Sequence, residues 1–253
     1  MRNVLGSTLL FLLATAAWPQ EANPGRPTVS TPATLTPVGY LQFETGVLGA
    51  EHSSDLANQV SFNEVVKFTL NKRLELLLQS GPFAHSDLGL SSTNDPGDVS
   101  AGLQAVLVPG TKKRPTVSVS YFRRVYGGTA PDLDIGSNRQ SALLLLSTDV
   151  AGFHVDTNAI FNEQIQDARH RAQFGQTLSI SHDLVRHFGV GAELWHFTQP
   201  FQNGHAAGFL FAPTYTMRKN LVFDAGFNRG LTSTSTRWEV FMGFTYVLPK
   251  KLL

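Results

Sequence analysis

The chain has no cysteine among its 253 residues. That excludes disulfide frameworks, thiolate zinc sites and cysteine nucleophiles. Charge is scarce as well: Asp, Glu, Lys and Arg make up 15% and leave a formal net charge of +1, against a usual charged share of about 25%. So weak a field excludes a nucleic-acid binder, and the composition does not fit a coiled coil or a disordered acidic chain. Long apolar runs are missing: past the N-terminus the densest is Ala142 to Leu146, far short of the ~20 residues a spanning helix needs. There is no P-loop, no Gly-x-Gly-x-x-Gly and no His-Glu-x-x-His. The histidines lack the spacing of convergent metal ligands. No cofactor and no metal are expected.

What is present begins with an export signal. Met1-Arg2-Asn3 supplies a positive start, Leu9 to Leu13 an apolar core, and Ala14 and Ala16 an A-x-A-like cleavage pattern. Residues 1–17 are therefore expected to be a signal peptide. Residues 18–38 carry prolines at 19, 24, 27, 32 and 37, which forbid a helix or a central strand. This segment is either an extended periplasmic lead-in or a plug folded into a lumen.

From Tyr40 onward the hydrophobic period is two, the period of a β-strand with one apolar face. Leu41, Phe43, Thr45 and Val47 alternate with Gln42, Glu44 and Gly46. Phe153, Val155, Thr157, Ala159 and Phe161 alternate with His154, Asp156, Asn158 and Asn162. Twelve such segments recur at intervals of roughly 18 residues. Alternation also suits a soluble sandwich or barrel. Three features favour the membrane: an even strand count, strands long enough for a tilted crossing, and connections that alternate in length. Short turns fall at 71–72, 109–114, 150–152, 182–186 and 218–220, and the longest link runs from Gly81 to Gly97. The predicted fold is all-β: a twelve-stranded antiparallel up-and-down transmembrane β-barrel over 39–253, with short periplasmic turns and longer outer loops. Trp195, Trp238, Tyr40, Tyr121, Tyr215 and Tyr246 lie near strand ends, where an interfacial girdle would place them. Glu64, Gln176 and Pro213 fall on the apolar faces, so Glu64 calls for a bulge or a rim position and Pro213 for a bulge or strand end.

The polar faces then become the lumen. Parity selects Glu44, Glu75, Gln104, Phe122, Arg124, His154, Asp156, Asn158, Arg171, Glu193, Trp195, Asp224, Asn228 and Glu239 as lumen-lining candidates, with Leu77 and Phe241 also inward. In an open pore the surplus of carboxylates would favour cations and neutral solutes; otherwise the charges pair with one another and fill the interior. The aromatic side chains would form a constriction or a path for an apolar solute. His154, Asp156, Ser179 and Ser181 contain the residue types of a nucleophilic site, but a barrel enzyme working on lipid would carry them on the outer face. An ordinary lumen network is the stronger reading, and no enzyme is expected.

Two blocks carry a family likeness. One is Arg26-Pro27-Thr28 with Thr36-Pro37-Val38-Gly39 and Gln42-Phe43-Glu44-Thr45-Gly46. The other is Asp224-Ala225-Gly226, Gly230-Leu231, Trp238 and Gly243-Phe244-Thr245-Tyr246. Together they resemble the outer-membrane barrels grouped as transporters of the phenol-degradation meta-pathway. The resemblance spans the mature chain in architecture and is specific at its two ends. Many outer-membrane barrels end in an aromatic residue, whereas this chain continues past Tyr246 as Val-Leu-Pro-Lys-Lys-Leu-Leu. The resemblance implies a channel or transporter in the outer membrane of a diderm bacterium, surrounded by outer-membrane lipid. Its partner would be a small solute of hydrophobic or aromatic character. The alternative is a closed barrel with a structural or surface-interaction role, its outer loops such as 81–97 and 126–137 making the contacts.

Overall fold

The computed structural model describes residues 20–253 apart from 54–55, 135–137 and 203. The expected signal peptide, 1–17, lies outside the described residues. The strands are β1 (Leu41–Glu51), β2 (Asn58–Asn71), β3 (Leu74–Asp87), β4 (Ser92–Asp95), β5 (Val99–Val108), β6 (Thr116–Tyr126) and β7 (Asn138–Val150). They continue with β8 (Phe153–Gln166), β9 (Arg169–Val185), β10 (Phe188–Gln199), β11 (Gly204–Arg218), β12 (Leu221–Gly230) and β13 (Trp238–Val247). All neighbours are antiparallel, and β1 closes the sheet on β13 from Gln42↔Val247 to Glu51↔Trp238. Without β4, which pairs only the end of β3, twelve strands form the closed barrel. Closure pairs each of these twelve strands on both sides, while β4 pairs on one.

The barrel is inverted relative to a soluble protein. Leu76, Leu78, Leu103, Val119, Leu144, Phe161, Phe174, Leu178, Leu194, Phe211, Val240 and Met242 are exposed on the outside. Inside, Gln42, Gln104, Ser118, Ser120, Asn158, Gln173, Thr177 and Thr245 are buried. At about half the ~1.5–3 kcal/mol that full burial of such a side chain is worth, these twelve outer residues rival the ~5–15 kcal/mol by which a domain is normally stable. The outer face therefore requires hydrocarbon around it, as in a transmembrane barrel.

The entry to β1 and the C-terminal residues meet at one end of the barrel, here called the terminal end, where Leu248 N–H donates to Leu41 O at 2.9 Å and Leu252 N–H to Gly39 O at 2.7 Å. At the opposite, loop end, the long link predicted over 81–97 is mostly strand. β3 pairs β5 from Leu74 to Ser80, then runs on to Asp87 against β2 and β4. The register against β2 shifts between Phe62↔Phe83 and Glu64↔Ser80, so the irregularity called for by Glu64 lies at Gly81-Pro82 on the neighbouring strand. Pro213 sits where the β11–β12 ladder lacks pairings at Ala212 and Pro213, as its missing donor demands. Loop 127–134 folds against this end: Thr129 and Ala130 donate to Pro96 O, and Gly128 lies so close to Pro96 and Gly97 that a Cβ there would collide with their backbone.

Candidate functional site

The lumen is occupied by the chain's own N-terminal segment. Four prolines at 24, 27, 32 and 37 deny residues 20–39 any regular backbone pairing, so the remaining backbone groups need side-chain partners inside the barrel. The wall supplies them. Asn23 N–H donates to Gln42 Oε1 (3.0 Å) and Gly25 N–H to Glu44 Oε1 (3.1 Å). Val29 and Ser30 N–H each donate to Glu193, both at 2.6 Å, and the Ser30 hydroxyl does so at 2.5 Å. Asn158 accepts from Thr31 N–H (2.6 Å) and returns a bond to Thr31 O (3.0 Å). Ala33 N–H reaches Ser147, Gln104 and Ser118 donate to Pro32 O and Ala33 O, and Thr36 N–H and hydroxyl both reach Glu75. With the Ser30–Thr177 and Thr36–Thr69 bonds and the Arg26–Asp224 pair, this strap is tied to ten of the twelve barrel strands.

The ionic contacts follow the same plan. Arg26 reaches Asp224 at 3.2 Å through a gap between Gly46 and Gly243, which face each other on β1 and β13. A Cβ on either glycine would meet the guanidinium. Glu44, which also accepts from the strap, pairs with Lys67 Nζ at 2.5 Å, and both side chains are buried. The inward carboxylates expected to ring a pore thus hold strap and wall together.

The strap divides the free space. A cavity of about 550 Å³ lies on its loop side, bounded by Val29 and Thr31, by Phe122, Leu143, Ile160 and Phe197, and by Gln59, Ser61 and Asn162. Loop residues Gly128 and Ala130 to Asp134 line it as well. A second, of about 270 Å³, lies on the terminal side between Glu21–Thr28 and the wall at Asp156, Ser179, Ser181, Thr214 and Lys219. Four inward rings each lie over a glycine on the adjacent strand. A Cβ on Gly102, Gly175, Gly208 or Gly226 would strike Phe122, Phe197, Trp195 or Phe241 respectively.

Of the residues selected by parity, Glu44, Glu75, Gln104, Asn158, Glu193 and Asp224 are buried and bond the strap. Phe122 lines the loop-side cavity. Trp195 is buried inside the wall, its indole N–H donating to Asn228 Oδ1 at 2.8 Å, so it does not join the interfacial girdle expected of it. Asn228 in turn donates to Glu239. Arg124 is half-buried and pairs with Asp98 at 3.2 Å. Arg171 has inward parity but sits at the loop end, exposed, bonding Pro200 O and lying over the Phe201 ring. His154 and Asp156 lie at the terminal end. Both ring nitrogens of His154 face carboxylates, Asp149 at 2.7 Å and Asp156 at 3.3 Å, leaving neither to take a proton from Ser179 or Ser181. Asp156 also accepts from Ser147.

Sequence reasoning missed Lys67, Gln59, Phe197 and Arg26. The first three share the inward parity of their strands and were findable on that signal. Arg26 sits in a segment without periodicity, and nothing local marks its partner.

No protein-family model matches the chain, and no curated protein matches it. Solved structures do match. An outer membrane channel from Pseudomonas putida F1 superposes with a TM-score of 0.61 at 14% identity, over 90% of this chain and 100% of that one. The NanC porin gives 0.57 at 10% identity over 81% and 100%, and the KdgM porin 0.54 at 10% over 81% and 98%. At these identities the likeness is one of fold: the chain has the architecture of outer-membrane porins and channels.

Proposed function

We propose that this chain is an outer-membrane channel for small hydrophobic or aromatic solutes, with its loop end facing outward and its terminal end facing the periplasm. The observation that carries this is the 550 Å³ cavity between strap and loop, in which Phe122, Phe197, Leu143 and Ile160 face amide and hydroxyl side chains. Its volume falls within the roughly 300–1,000 Å³ of small-molecule sites, and its mixed wall suits a compact apolar body with a polar group. The fold shared with solved porins and the resemblance of the two end blocks to phenol-degradation meta-pathway transporters support the same function. Transport rather than catalysis also fits His154, whose nitrogens are both engaged by carboxylates.

The hydrogen-bonded strap favours one second reading, a closed barrel with a structural or surface-interaction role. Liposomes containing the purified barrel, with and without residues 20–38, separate the two. A channel of this kind passes a neutral aromatic such as benzyl alcohol with the strap in place and shows large ionic steps only after its removal. A barrel that passes neither solute nor ions in both forms is a closed one.

A further inference from the structure

Six of the seven lysines stand on one rim of the barrel. At the terminal end the hairpin turns and the C-terminal tail carry Lys72-Arg73, Lys112-Lys113-Arg114, Arg186, Arg218-Lys219 and Lys250-Lys251, all of them exposed. The seventh lysine, Lys67, is buried on Glu44. Among the described residues, the exposed acids at this end are Glu21, Asp149 and Asp183, and Asp149 is engaged by His154. The ion pairs of the described Lys and Arg use Arg26, Lys67 and Arg124 and none of the rim cations. The loop end has no lysine among its described residues, and its arginines are outnumbered by Asp and Glu. A chain of net charge +1 thus places half of its 20 Lys and Arg on one rim. Turn geometry calls for Gly, Asn or Asp rather than for a cation, and like charges crowded together repel. An anionic surface opposite the rim removes that repulsion.

The apolar side chains in the same turns say what kind of anion. Leu184 and Val185 precede Arg186 and Phe188 follows it, Met217 precedes Arg218, and Leu252 and Leu253 follow Lys251; all are exposed. A soluble polyanion would leave them in water. The edge of a lipid leaflet takes both kinds of group: phosphate against ammonium and guanidinium, hydrocarbon against Leu, Val, Phe and Met. The apolar stems of Lys and Arg span the step between the two.

We propose that the terminal rim is a docking ring for anionic phospholipid headgroups in the periplasmic leaflet of the membrane that holds the barrel. The leaflet rests on the orientation given above, and the ring does not depend on the solute carried. The test places the full chain in phosphatidylcholine bilayers with a trace of spin-labelled phosphatidylglycerol or phosphatidylcholine. Electron spin resonance then reads the share of each lipid immobilised at the barrel. At low salt phosphatidylglycerol should be favoured about twofold or more. At about 1 M salt the preference should vanish, because the Debye length shrinks to ~3 Å. Lys112→Gln, Lys113→Gln, Lys250→Gln and Lys251→Gln combined should remove about half of the preference or more. Arg123→Gln with Arg139→Gln, at the loop end, should leave it unchanged. Should the quadruple variant fail to fold, Lys250→Gln with Lys251→Gln, in the tail beyond β13, carries the same test with a smaller drop. Equal association of the two lipids, or a preference that survives the terminal variants, would overturn the proposal. Equal association together with salt-sensitive binding of soluble poly-L-glutamate would assign the rim to an acidic partner instead. Labelling of intact cells with an impermeant maleimide keeps the two conclusions apart: Ser91→Cys, between β3 and β4 in a chain with no other cysteine, should react. Labelling without lipid preference removes the ring and leaves the orientation, whereas preference without labelling overturns the orientation and the assignment to the periplasmic leaflet with it.

Discussion

The guanidinium of Arg26 meets the carboxylate of Asp224 at 3.2 Å across 198 residues of sequence, through a gap that exists because positions 46 and 243 lack side chains. This contact pins the first stretch of the strap to β12, two strands round the barrel from its bonds to β1. Asp224→Ala leaves a cation buried without its partner, which costs about 3 kcal/mol. The variant should unfold at lower urea concentration and show larger or more frequent conductance steps in planar bilayers.

Gly46→Val should reproduce that behaviour with Asp224 intact, since the new side chain takes the space of the guanidinium. The double variant tests the mechanism. If both substitutions act only by displacing Arg26, their effects on urea stability are strongly non-additive, whereas independent lesions would sum.

Glu193 accepts from two strap amides and one strap hydroxyl. Glu193→Ala should release the strap locally, and hydrogen exchange at Val29 and Ser30 should quicken by about tenfold or more, at roughly 1 kcal/mol or above per lost bond. Strand amides of β10 should keep their protection. Unchanged exchange at Val29 and Ser30 would mean that the proline-rich backbone holds itself.

Gly175→Val should push the Phe197 ring off the wall and into the loop-side cavity. Liposome uptake of an aromatic solute should then fall severalfold, with the barrel still resisting denaturation in detergent on gels. Phe197→Ala enlarges the same space, so uptake should not fall with it.

Burial raises the carboxyl of Asp134 above its ordinary value near 3.8, and the two bonds from Thr236 oppose that rise only in part. The sign follows from linkage: a group whose pKa is higher in the docked state contributes stability that is complete below its ordinary value and is lost as pH rises through the raised one. Loop 127–134 should therefore be better protected from proteolysis at pH 4 than at pH 7. Asp134→Asn should flatten the difference.

The sequence alone determined the strands and which way their residues face. The alternation of Phe153 to Asn162 needs nothing beyond the two-residue period of a strand, and the inward placement of Glu44, Gln104, Asn158 and Glu193 follows from parity. The same rule reaches Lys67 and Phe197, because parity is a local property of the chain. Trp195 shows its limit: nearness to a strand end suggested an interface, while its own parity already pointed inward. Tertiary structure decided the rest. Residues 20–38 carry prolines that say what the segment cannot be, not where it goes, and its path depends on acceptors more than 100 residues away on β7, β8, β10 and β12. Past Gly81-Pro82, β3 runs on between β2 and the folded-back β4, and each of four inward rings meets a glycine on the next strand. A strand's period is set by its own backbone, whereas the partners of a buried polar group are set by closure of the barrel, which brings distant segments to within hydrogen-bond distance.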